Sequence, residues 1–128
     1  MNALLLFSFP NGNKTQGLEY LKNCSTSKNE MVRTEANYFL FKIYFNLEMD
    51  FKKAYVYIRV LNELHPENLV YNLEHLKLLI ILKKSDEAQV YREILIKKIQ
   101  TAENINTFQK KFFLSQIDQL LKPDFRGV

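Results

Sequence analysis

Two histidines, one cysteine and fourteen acidic side chains are the groups with which this 128-residue chain could act on a substrate. An imidazole can serve as a general base, a thiolate as a nucleophile or metal ligand, and a pair of carboxylates as acid and base. The spacing supports none of these. Cys24 stands alone, with no cysteine or histidine near it in sequence to complete a disulfide or a metal set. It reads as a small apolar filler or a surface thiol. His65 falls in a turn beside Pro66, and the acids fall at helix caps or on helix surfaces, as with Glu93 four residues before Lys97. No glycine-rich phosphate loop, HExxH, GxSxG or CxxC occurs. The expectation is a noncatalytic chain with no metal and no cofactor.

Charge excludes a second class of function. The formal charge is +4 with a pI near 9.1, and nucleic-acid binding would need that charge gathered into a stripe. It is spread instead. Residues 1 to 64 carry eight Lys and Arg against six acids, and residues 65 to 128 carry ten against eight, so each half is +2. The pairs Lys52-Lys53, Lys83-Lys84, Lys97-Lys98 and Lys110-Lys111 read as solvated helix faces or turn starts. No nucleic-acid partner is expected. No membrane insertion is expected either, because no run approaches the roughly 20 apolar residues of a span. The apolar opening Ala3 to Phe9 lacks a basic start and meets Pro10 without a small-x-small cleavage site, so it does not read as a secretory signal. A cytoplasmic location is favoured if Met1 is the true start, with export the alternative otherwise.

The elements that would position any site are helices. A hydrophobic fraction of 47% with ten Phe and seven Tyr supplies a core, while three Gly and three Pro are too few for an all-β fold. Start and stop signals predict helices at 13–24, 29–47, 50–64, 68–82, 85–102 and 107–121, with a stump of another at Ala3 to Phe7. Ser27 with Glu30 reads as a capping box, Asp50 and Ser85 as N-caps, and Pro66 as a stop whose fixed φ suits the first turn of the next helix. About seven antiparallel helices are expected in all.

Ala54 and Ala88 stand thirty-four residues apart, each opening a helical pattern after a polar turn. Residues 35 to 68 then resemble a tetratricopeptide repeat: Tyr38, Phe41 and Phe45 on the first helix, Ala54, Ile58 and Leu61 on the second, Pro66 at the turn. Lys42 departs from the small residue of the pattern. Residues 69 to 102 repeat it less faithfully, with Leu76, Leu79, Ala88 and Leu95 thirty-four residues after Lys42, Phe45, Ala54 and Leu61. Asn72 and His75 then replace the expected aromatic and leucine. Residues 1 to 34 read as a partial repeat, 103 to 122 as a capping helix and 123 to 128 as a tail. The resemblance implies one domain, a right-handed α-α superhelix.

It also implies a role in holding a protein or peptide partner in a concave groove. The helix from Asn29 to Leu47 is apolar on two opposite sides, Tyr38, Phe41 and Phe45 on one, Ala36, Leu40, Ile43 and Leu47 on the other. Part of the second stripe, with Phe39 at its edge, is a candidate groove wall. The groove candidates are Ala36, Phe39, Leu40, Ile43, Val70, Leu73, Lys77 and Ile80. Lys77 alone is basic among them, which disfavours a carboxylate clamp. The alternative is a structural or oligomerising segment, its groove filled by Leu4 to Phe9 or by a second copy in a homodimer. Burying those five apolar side chains is worth several kcal/mol at roughly 25 cal/mol per Å².

Overall fold

The computed structural model describes residues 13 to 121, which form helices and, among the described residues, no strand. The chain is all-α. Helix α1 spans Asn13–Cys24 and α2 Glu30–Lys42, the latter running directly into a π-helical turn at Ile43–Leu47. There follow α3 at Phe51–Leu64, α4 at Leu69–Ile81, α5 at Ser85–Thr101 and α6 at Thr107–Leu120. The helical stump expected at Ala3 to Phe7 and the tail from Phe125 lie outside the described residues. The chain divides into two compact units, Met1–Leu64 and His65–Val128.

The breaks fall where the polar turns predict them, but the capping atoms differ. Asparagine does most of the work: Asn29, Asn68 and Asn106 each accept a bond from the amide three residues on, with Asn106 and Gln109 forming a reciprocal box. Ser27 is not the cap of α2; its hydroxyl accepts from the Asn29 amide at 3.1 Å and thereby sets the true cap. Ser85 is not a cap either, since α5 begins on it after Lys84. Pro66 stops α3 as predicted but lies before Asn68, outside the first turn of α4. Asp50 caps α3 as expected, accepting from the Lys53 amide at 3.2 Å.

In the first unit α2 packs against both α1 and α3. Both apolar sides of α2 are therefore buried: Phe41 and Phe45 on one, Ala36, Leu40 and Ile43 on the other, against Leu21, Ala54, Ile58 and Leu61. Each large member is worth about 1.5–3 kcal/mol. Tyr44 stacks on Tyr57 with ring centroids 5.7 Å apart, and burial holds the Tyr57 phenol above its ordinary value of 10.0, with Tyr44 adding to the shift. Asn37 is buried among these side chains. Its amide donates to the Arg33 carbonyl at 2.8 Å and to that of Ser25 at 3.0 Å, tying α2 to the turn before it.

In the second unit α6 packs against α4 and α5. Leu76, Leu78, Leu79, Leu95, Ile99 and Ile117 form its core. Asn72 is buried here and donates to the carbonyls of Asn68 at 2.8 Å and Pro66 at 2.9 Å, the same stitch of helix to preceding turn. Its own carbonyl oxygen accepts from the Tyr91 hydroxyl at 2.6 Å and from Lys98 Nζ at 3.4 Å.

Burial along the two units repeats, with two different periods. Between α3 and α5 the period is thirty-four: Ala54 and Ala88 are buried, Val56 and Val90 exposed, Leu61 and Leu95 buried. Between α2 and α4 it is thirty-five, matching buried Asn37 with Asn72 and Phe41 with Leu76, and half-buried Tyr38 with Leu73 and Lys42 with Lys77. The thirty-four-residue pairing of Lys42 with Leu76 is thereby corrected, since Lys42 is half-buried and Leu76 wholly buried. The first unit has one extra residue. Backbone hydrogen bonds locate it: the amide after the left-handed residue Lys83 reaches back five residues, Lys84 to Leu79, whereas the amide after left-handed Met49 reaches back six, Asp50 to Tyr44. The π turn absorbs that residue.

Candidate functional site

The π turn ends a shallow cleft on one face of the α2 region. Tyr38, Lys42 and Asn46 line it at intervals of four residues, and Phe39, Ile43 and Leu47 do so beside them. Residues four apart share a helix face, so the two rows lie parallel; Tyr38, Phe39 and Lys42 belong to α2, and Ile43, Asn46 and Leu47 to the turn. The cleft encloses about 270 Å³. That is just short of the about 300 Å³ at which small-molecule pockets begin, so it has room for a few side chains of a peptide.

Its chemistry is apolar with one polar edge. The Tyr38 and Phe39 rings meet edge to face, centroids 5.8 Å apart, and make an aromatic wall. Lys42 Nζ lies 5.9 Å from the centre of the Tyr38 ring, so the ammonium rests against an aromatic face while the stem lines the cleft. Ile43, almost wholly buried, closes the cleft from below, and Leu47, 61% exposed, forms its rim.

Of the predicted groove residues, the cleft brings together Phe39 and Ile43. Ala36 and Leu40 are buried in the core of the first unit and present no surface to a partner. Val70, Leu73, Lys77 and Ile80 belong to the second unit, at positions that share a face of α4; Val70 is 51% exposed and the other three are half-buried. Lys77 Nζ pairs with Glu74 at 3.4 Å, which offsets the one positive charge on that face. Tyr38, Lys42 and Asn46 join the cleft without having been predicted for it. The aromatic of Tyr38 signals a core position, and nothing in the residue types marks a π turn.

Two of the groups weighed for catalysis have aromatic neighbours. His75 lies against the Tyr91 ring with centroids 4.4 Å apart, and Cys24, half-buried, holds the Tyr20 phenol above its ordinary value through a side-chain hydrogen bond. Among the described residues no three His, Cys, Asp or Glu side chains converge as a metal site would require. No described helix is long and apolar enough to cross a membrane. Comparison with models of known protein families, with curated proteins and with solved structures finds no match to this chain.

Proposed function

We propose that this is a noncatalytic, tetratricopeptide-like interaction module that holds an extended or helical peptide by apolar side chains on the α2 face of its first unit. The observation that carries the reading is the apolar cleft between Tyr38 and Leu47, opened at a π turn, an element that often marks functional sites. The repeated burial pattern supports the repeat architecture, and the distribution of charge supports a protein partner over a polyanion.

The test is selection of binders from a random peptide library, followed by mapping of their amide shift perturbations. Perturbations centred on Phe39, Lys42 and Leu47, with at least tenfold weaker binding by Leu47→Asp, support the reading. Binders that map elsewhere and ignore Leu47→Asp overturn it. A second reading, a packing segment of a larger assembly, is favoured by Phe108 and Phe112, 79% and 53% exposed one turn apart on α6. Under that reading sedimentation shows self-association that Phe108→Asp abolishes.

A further inference from the structure

We propose that the partner held at the cleft is a second copy of this chain, laid so that α2 packs antiparallel on α2 about a twofold axis; the proposal rests on the reading of the cleft as a docking surface. The outward face of α2 is spaced as a packing seam. Met31, Glu35, Tyr38 and Lys42 follow at intervals of four, three and four residues, and Phe39 and Asn46 flank them. Met31 is 77% exposed, Glu35 and Asn46 are exposed, and Tyr38, Phe39 and Lys42 are half-buried, so the whole seam reaches the surface. Tyr38, Phe39, Lys42 and Asn46 also line the cleft, which makes seam and cleft one surface.

That surface is complementary to itself. In an antiparallel twofold pair centred between Tyr38 and Phe39, each residue lies opposite the one equally far beyond the centre. Glu35 then meets Lys42 of the second copy, and Lys42 meets its Glu35. Met31 lies opposite Asn46, and the Tyr38 and Phe39 rings of both copies gather at the axis. Within one helix Glu35 and Lys42 stand seven residues apart, about 10.5 Å along the axis and too far to neutralise each other, whereas across the pair opposite charges meet twice. A foreign helix would need the same order of charge and aromatic by coincidence. A second copy carries it by construction.

A pair of this size is weak. The sixteen residues from Met31 to Asn46 make a seam about 24 Å long at about 1.5 Å per residue, and a single helix pair of that length belongs below the roughly 1,200 Å² at which standard interfaces begin. The dimer is therefore reversible, held by the central aromatics, with the flanking charges fixing its register and direction. Both clefts lie within the interface. An external peptide must then compete with self-association, and its apparent affinity falls as the chain concentration rises.

The test is sedimentation of the full chain over a concentration series, with Glu35→Lys and Lys42→Glu made singly and helicity followed by circular dichroism. Each change sets like charges opposite each other twice, so self-association is expected to weaken by about tenfold or more while helicity is kept. Mixing the two variants is expected to restore a mixed dimer, because every opposed pair is then again of opposite sign. A variant that had merely misfolded would not be rescued in this way. A chain that stays monomeric at about 1 mM overturns the proposal. So does a dimer that ignores both substitutions, or one whose single variants stay apart when mixed. A monomeric chain whose cleft binds library peptides sinks this proposal alone. A dimer with the expected charge behaviour whose Glu35→Lys monomer, its cleft lining unchanged, takes no library peptide sinks the recognition reading alone.

Discussion

Asn72 shows what one side chain can hold. It satisfies two backbone carbonyls and accepts from Tyr91 and Lys98, so four groups from α4, α5 and the Pro66 turn depend on it. Asn72→Ala is expected to cost about 1–3 kcal/mol in urea unfolding, and less when Tyr91→Phe has already removed one dependent, because the two changes share a bond. Additive effects would refute the link. Tyr57 gives a pH dependence. A phenol whose folded value lies above 10.0 contributes stability that is complete below its unfolded value and is lost as pH rises through the folded one. Stability should therefore decline above about pH 10, with a smaller slope in Tyr57→Phe, as measured by chemical unfolding at successive pH values. Neither role was legible from sequence, where Asn72 reads as a defect in a repeat and Tyr57 as one more aromatic. Partners thirty-two or nineteen residues away leave no local mark, as with Lys98 to Pro66 and Tyr91 to Asn72.

Helices were far more legible than their joints. The bounds of α3, α5 and α6 follow from Asp50, Pro66, the Lys83-Lys84-Ser85 turn and the Asn104 to Thr107 break, because those residues act through local backbone geometry. The π turn is a different matter. A change from four-residue to five-residue hydrogen bonding has no residue signature, so a thirty-four-residue register ran on past Lys42 and mispaired it with Leu76. Half of the cleft was hidden too: Phe39, Ile43 and Leu47 could be placed on or beside an apolar stripe, whereas Tyr38, Lys42 and Asn46 form a second row at four-residue intervals that the residue types do not mark as a surface. The π turn after α2 and helix α4 are each followed, two residues on, by a left-handed residue that is not glycine, Met49 at φ 51° and Lys83 at φ 59°. A side chain there costs about 1 kcal/mol, so Met49→Gly and Lys83→Gly are each expected to raise the unfolding free energy by up to that amount. Unchanged or lower thermal midpoints would show that the side chains contribute more than the backbone strain removes.

Across the whole molecule, charge is the quantity that sequence read best, since net charge and its spread need no folding to count. The fold engages some of it: Lys98 donates to Pro66 and Asn72, and Lys110 to the Gln100 carbonyl at 2.9 Å. The chain is accordingly expected to leave a heparin column at low salt, with Lys97→Glu and Lys111→Glu changing its elution little. Retention that falls steeply with salt and is lost in those variants would restore a polyanion partner. The π turn has a final consequence, for anyone who recombines the two halves. The segment of α2 with its π turn and helix α4 are not interchangeable cassettes. Grafting Glu30–Leu47 onto the frame of α4 at constant chain length would throw every later side chain out of phase by about 100°, one residue's share of a turn, and point a core leucine at water.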